Sequence, residues 1–182
     1  MKLTDITNRT NSFCEYLNIH NLTNHGAEIG VKKARNAVRL LQAWKGKKIY
    51  LVDVWQKTKN KEEAITNLQP YEDKYEIIHN TSMNALEKIP DKSLDFCHID
   101  ASHTYENVVD DINGWWEKII PNGILCGHDY WIDQKNYQEK YNKLWKNTGV
   151  KQAVDEFVSK HNLQLHCDPL YKTKPNCWYI KK

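Results

Sequence analysis

Short apolar runs alternate with amphipathic stretches along most of the chain. The runs are Ala27 to Val31, Ile49 to Val54, Tyr75 to Ile78, Leu94 to Ile99 and Gly123 to Cys126. They are rich in β-branched residues and bounded by polar or turn residues, the pattern of strands buried on both faces. Helical periods lie between them. Ala34, Val38 and Leu41 share one face, and Val108, Ile112, Trp115 and Ile119 share another. The latter helix is expected over 104–119, stopped by Pro121-Asn122-Gly123. Strands alternating with helices imply a parallel sheet covered on both faces.

After a helical stretch through Val150, Val154, Phe157 and Val158 the pattern changes. Leu163 to Cys167 and Cys177 to Ile180 read as two strands joined by a Pro-bearing loop. No helix fits between them, so they must be antiparallel. The expectation is an α/β fold of five βα units followed by a terminal β-hairpin. Phe13, Tyr16 and Leu17 predict a short helix within an N-terminal covering segment, 1–25. With no internal repeat or linker, residues 1–182 are expected to form one domain.

Composition narrows the class. Apolar residues make up 40% and charged residues 27%, ordinary for a globular protein. Seven Gly and five Pro exclude a collagen-like chain. No apolar run approaches a membrane span, and the start lacks a signal-peptide pattern. A net charge of +3 with scattered lysines predicts no nucleic-acid partner. Five cysteines without an export signal predict reduced thiols and a cytoplasmic location. Cys97 and Cys126 lie inside strand runs and read as core thiols, not zinc ligands. A homo-oligomer is compatible with all of this.

In such folds ligands bind beyond the carboxyl ends of the strands, so the candidate chemistry is sought there. The first strand leads into Glu28-Ile29-Gly30-Val31-Lys32, which lacks the second glycine of a pyrophosphate turn. Glu28 also repels phosphate. Both points count against a nicotinamide-dependent dehydrogenase and favour a positively charged cofactor without phosphate. Asp53, 23 residues after Gly30, stands where an acid commonly binds ribose hydroxyls. Asn80 to Leu86, with Thr81, Ser82 and Met83, either caps the next helix or touches an adenine edge. Asp100, Ser102 and His103 crowd the end of the fourth strand, and His128 and Asp129 the end of the fifth. Asp100 and Asp129 on neighbouring strands repel unless a proton or a cation intervenes. A divalent ion such as Mg, Mn or Fe suits them. The alternative is a hydrogen-bonded turn with Asp100 capping helix 104–119.

These segments resemble a family. Glu28-x-Gly30, Asp53, Ile99 to Glu106 and Pro121 to Tyr130 are similar to class I S-adenosylmethionine-dependent methyltransferases. The likeness extends to the metal-dependent O-methyltransferases of small molecules, including those acting on macrolide sugars. It runs from about Gly26 to Phe157. It implies a Rossmann-like, seven-stranded, mostly parallel sheet with helices on both faces and an antiparallel C-terminal hairpin. It implies that Glu28 and Gly30 line the methionine part of S-adenosylmethionine, Asp53 its ribose, and Thr81, Ser82 and Met83 its adenine, with Asp100 also at the cofactor. Asp100 and Asp129 with His128 would hold Mg or Mn, and His103 would be the general base. The acceptor would be a small polar hydroxyl compound such as a sugar. A catalytically silent, methyltransferase-like binding domain is the alternative outside catalysis. Trp131, Tyr137, Tyr141 and Trp145 form an aromatic segment. Tyr137, Tyr141 and Leu144 fit one helical face, for packing or as a sugar-stacking wall.

Overall fold

In the computed structural model, residues 1–6, 10–131, 149–168 and 176–182 are described. The positions expected to share a helical face, Tyr137, Tyr141 and Leu144, lie outside them, as does Trp145. The strands are β1 (His25–Ile29), β2 (Lys48–Asp53), β3 (Tyr75–His79), β4 (Leu94–Ile99), β5 (Ile119–Tyr130), β6 (Leu165–Cys167) and β7 (Asn176–Lys181). They form a seven-stranded sheet in the order β3-β2-β1-β4-β5-β7-β6. The five strands from β3 to β5 run parallel, and β7 pairs antiparallel with both β5 and β6. The order reverses between β1 and β4, which opens a crevice beyond their carboxyl ends.

Two apolar layers sandwich the sheet. On one face α1 (Thr10–Ile19), α2 (Arg35–Ala43) and α3 (Thr58–Leu68) pack over Leu51, Phe96, Ile124, Cys126 and Tyr179. Phe96 is the pivot of that layer, with Phe13 edge-on at 5.5 Å and Trp44 edge-on at 4.9 Å. Gly26 has no side chain because the Phe96 ring fills the space, 2.2 Å from where a Cβ would stand. On the other face α4 (Ser82–Ala85), α5 (Tyr105–Lys118) and α6 (Val150–Lys160) bury Ile112, Trp115, Val154 and Phe157 against Ala27, Ile29, Cys97 and Leu125. Strand alternation sends Phe96 and His98 to the first layer and Cys97 and Ile99 to the second. No helix among the described residues is long and apolar enough to cross a membrane.

Several boundaries differ from the pattern reading. β1 occupies His25–Ile29, not 27–31, because His25 and Gly26 pair with Lys48 and Ile49. Val31 is a buried turn residue whose apolar character imitates a strand position. α5 ends at Lys118, three residues before Pro121, and β5 begins at once with Ile119 opposite Leu94. The ladder resumes only at Phe96 opposite Ile124. Between these pairs the chain bulges through Asn122, at φ 65°. Asn122 N–H donates to Lys182 O at 2.8 Å and Lys182 N–H donates to Gly123 O at 3.0 Å. Of the run Leu163 to Cys167, only the last three residues pair as strand. α1 covers the sheet as expected, burying Phe13, Tyr16 and Leu17.

Candidate functional site

A cavity of about 1100 Å³ opens at the carboxyl ends of β1, β2 and β4. Its wall includes Glu28, Gly30, Asp53, Thr81, Ser82, Met83, Asp100 and His103. The fold thus brings the predicted cofactor and base positions to one space. Asp129 and His128 stand beside it on β5, and Asp129 reaches it through His103.

The turn after β1 is the most constrained part of this wall. Gly30 has φ +93°, and a Cβ there would stand 2.1 Å from the Asp100 carbonyl oxygen. Only glycine permits that conformation and that approach. Lys32 and Ala34 also take positive φ, 54° and 58°, without being glycine. Non-glycine residues in the left-handed region cost roughly 1–2 kcal/mol each, so the neighbouring structure must hold them. It does so through the β2 end. Asp53 Oδ2 accepts from Lys32 N–H at 2.7 Å, and Asp53 Oδ1 accepts from Trp55 N–H at 2.6 Å. Trp55 Nε1–H donates to Lys32 O at 2.7 Å, and Asn67 Nδ2–H donates to Lys33 O at 2.9 Å. Asp53 therefore clamps the turn while facing the cavity. Trp55 and Asn67 had no sequence signal that distinguished them from ordinary helix and loop residues.

Glu28 is 2% exposed. Asn36 Nδ2–H donates to its Oε1 at 2.9 Å, while Oε2 is buried without a hydrogen-bond partner among the described residues. Burial pushes its carboxyl up to about 8, the Asn36 hydrogen bond opposes this, and Asp100 and Asp53 push it further up. A buried carboxyl with one oxygen unpartnered, beside a glycine cradle, fits a ligand group that completes its hydrogen bonding. His98, next to Glu28 across the ladder, is held down at about 4, chiefly by burial.

Across the cavity, Thr81 caps α4, accepting from Asn84 N–H at 3.2 Å. Ser82 donates its hydroxyl to Asp111 and accepts from Trp115 Nε1–H at 2.8 Å. Of the three candidate adenine contacts, Thr81 and Met83 are exposed, Met83 at 44%, and Ser82 is half-buried. Asp111 sits on the apolar stripe of α5 with Val108, Ile112 and Trp115. Its position inside that stripe was the signal that would have singled it out. Burial raises its carboxyl to about 6, against the Ser82 hydrogen bond.

At the end of β4 Asp100 does not cap α5, whose N-cap is Thr104. His103 Nε2 instead lies 2.9 Å from Asp129 Oδ2 and 3.6 Å from Asp100 Oδ1. Asp100, His103 and Asp129 offer ligand atoms all within 4.8 Å of one another. His128 is not of this group, and its Nδ1 lies 3.3 Å from Asp129 Oδ1 only. The strand end explains the exchange. Asp129 has φ 58° and turns away from the line of β5, while a three-residue turn returns His103 over Asp100. The Asp100 and Asp129 carboxylates raise His103 to about 9 against burial. Burial favours the neutral form of Asp129, but His103 and His128 outweigh it and hold the carboxyl well below its usual range. An imidazolium therefore separates the two carboxylates. Two carboxylates and an imidazole also form a donor set that suits Mg, Mn or Fe. Gly149 N–H donates to His103 O at 2.7 Å, which ties the start of α6 to this turn.

With this geometry in view, the comparisons are specific in fold and coarse in chemistry. A family profile described as a methyltransferase domain matches residues 27–130, more than half of the chain. A curated relative, the protein y4gI of Sinorhizobium fredii, is 28% identical over 88 residues, 44% of this chain. The matched part spans about 10% of that relative's length. Among solved structures, the O-methyltransferase of Bacillus cereus in complex with S-adenosylhomocysteine matches with a TM-score of 0.72 and 13% identity. That match covers 100% of this chain and 84% of the other. An rRNA methylase of Streptococcus thermophilus matches with a TM-score of 0.63 and 14% identity, over 88% of this chain and 87% of its own. At these identities the likeness is one of fold.

Asp111→Asn isolates one buried charge. A carboxyl raised to about 6 contributes stability that is complete below its unfolded pKa near 3.8 and is lost as pH rises through 6. The variant keeps the Ser82 acceptor and cannot ionise. Its stability relative to the parent should therefore grow by up to roughly 3 kcal/mol between pH 4 and pH 8 in urea unfolding. A pH-independent difference would mean that Asp111 does not titrate in this range.

Proposed function

The chain belongs to this methyltransferase-domain family, and on that premise we propose that it transfers a methyl group from S-adenosylmethionine to a hydroxyl of a small polar acceptor. One observation carries the reading: Glu28, Gly30 and Asp53 share a single cavity with Asp100 and His103. Residues that suit a cationic nucleoside cofactor thus face residues that suit proton removal. A sugar or polyol is the acceptor class proposed, and residues 1–182 would act as one domain in a reducing cytoplasm. Burial of Cys14, Cys97 and Cys126 as thiols agrees with that location.

S-adenosylmethionine supplies a methyl group already activated on a positively charged sulfur, so alignment provides much of the acceleration. In this reading Glu28 meets the positive amino-acid end, and the Gly30 turn lets the backbone approach the ligand. Asp53 offers its remaining lone pairs to the ribose hydroxyls, and Met83 gives the base an apolar contact. A divalent ion such as Mg or Mn, held by Asp100 and Asp129, would supply the charge that lowers the acceptor hydroxyl's pKa. His103 takes the hydroxyl proton at Nε2. That role requires a neutral imidazole, and a cation shared by Asp100 and Asp129 would withdraw from His103 the two carboxylates that hold its proton.

The cofactor reading is tested by calorimetric titration with S-adenosylhomocysteine. Asp53→Asn keeps an oxygen for the β1 turn but loses the charge, and should weaken binding by about tenfold or more. Unchanged affinity would remove Asp53 from the ribose contact.

The metal is tested by chelation. Excess chelator should abolish transfer, and Mg or Mn should restore it, with Mn binding to the parent followed independently by electron paramagnetic resonance. Full activity in chelator would leave Asp100 and Asp129 paired through His103 alone.

His103→Ala should lower single-turnover rate by about 10²–10⁴-fold while leaving S-adenosylhomocysteine affinity unchanged. A rate within about threefold of the parent would exclude His103 as the base.

A further inference from the structure

No residue of α6 lines the large cavity, yet the helix reaches both partners of the contact between His103 and Asp129. His103 stands in the short turn between β4 and α5, and its imidazole meets Asp129, on another strand, at 2.9 Å. A side chain on a turn keeps such a distance only where surrounding structure holds its backbone. The holding contact is the Gly149 N–H, which donates to His103 O at 2.7 Å. Gly149 is the N-cap of α6, and its φ of −76° is open to any residue. Glycine is required there for closeness. A Cβ would stand 2.2 Å from Tyr105 Cα and 2.3 Å from Tyr105 N. Those are backbone atoms of the first turn of α5 and cannot swing aside as a flexible side chain could. The starts of α5 and α6 therefore meet backbone to backbone beside the His103 turn.

Further along α6, two adjacent carboxylates take two tyrosine hydroxyls. Tyr105, two residues after His103, donates to Glu156. Tyr130, next to Asp129, donates to Asp155 at 2.6 Å. Lys151 pairs with Asp155 one turn away and lies 5.3 Å from the centre of the Tyr130 ring. The apolar side of the helix, Val150, Val154 and Phe157, is buried, so α6 is itself fixed on the sheet. It is thus tied down beside His103 at one point and beside Asp129 at another. Distances at a reaction centre matter at this scale, since a misplacement of about 1 Å can cost about 10²-fold in rate.

We propose that Gly149 is a positioning residue and α6 a brace, which together hold the His103 imidazole opposite Asp129 without touching cofactor or acceptor. The proposal rests on the reading of His103 as the base and adds what fixes its place.

The test follows the ring nitrogens of His103 through its carbon-bound ring protons in ¹⁵N–¹H spectra, with the signals assigned by their loss in His103→Ala. In Gly149→Ala the Nε2 signal should move from its parent position, while the signals of His79, on the far edge strand β3, should stay. Asp155→Ala, which removes the Tyr130 acceptor, should move the Nε2 signal too. Asp155→Asn keeps an acceptor and should return it to the parent position. Calorimetric affinity for S-adenosylhomocysteine should stay within about threefold of the parent in all three variants. An unmoved His103 signal in folded Gly149→Ala or in Asp155→Ala would overturn the proposal. Equal displacement by Asp155→Asn and Asp155→Ala, or affinity that falls together with the displacement, would overturn it as well, because a general loosening of the fold does both. If Gly149→Ala does not fold, the two Asp155 variants decide the matter. A His103→Ala rate equal to that of the parent would overturn the base reading, and the ring comparison would still decide the brace.

Discussion

The Asp53 carboxylate is the contact on which the cavity depends. It takes the Lys32 amide with one oxygen and the Trp55 amide with the other, and so joins the turn after β1 to the turn after β2. Lys32, Ala34 and Trp55 all have positive φ, so neither turn is at rest by itself. A charged acceptor is the strong partner for such amides. The indole of Trp55 closes the arrangement by donating back to Lys32 O. In many nucleotide turns glycines make the left-handed backbone inexpensive. Here hydrogen bonds from the neighbouring strand end hold it. The cavity wall is therefore a cooperative unit of two loops, not a preformed local turn.

Charge is arranged differently on the two sides of this cavity. On the Glu28 side a carboxyl is buried with no cation beside it and favours its protonated form. On the Asp129 side a partly buried carboxyl is kept ionised by two imidazoles. Burial acts in the same direction on both, and the neighbours decide the outcome. The fold thus holds a neutral acid on β1 and an ionised acid two strands away on β5.

Much of this was legible in the chain. The five parallel strands and the hairpin followed from apolar runs and their spacing. The strand-end rule located Glu28, Asp53, Asp100 and Asp129 before any side chain was placed. The misread points share a cause. Val31 and the Ile119–Gly123 segment were assigned by hydrophobicity, which cannot tell a buried turn or a bulge from a strand or a helix end. The backbone reversal at Asp129, which sets His103 between the two carboxylates, depends on a φ value that no pattern carries. Asn36, Asn67 and Trp55 each reach over 8 to 34 residues with one side-chain hydrogen bond. Such pairings leave no periodic trace.

The position of β7 has a kinetic consequence. It follows β6 in the chain but lies between β6 and β5. Until β7 is in place, β5 has an open hydrogen-bonding edge and β6 has no partner among the described strands. β5 carries His128 and Asp129, and Gly127 on it lies against the Trp178 ring of β7. The pairings that complete β5 span about fifty residues, and contacts of that separation form late. Parallel strands β1 to β4 can assemble with their helices beforehand. Asp129 lies beyond the last β4 pair, at Gly127, and is framed by the β7 pairs at Gly127 and Tyr130, so the cavity wall on β1 and β2 can form before β7 fixes the Asp129 side.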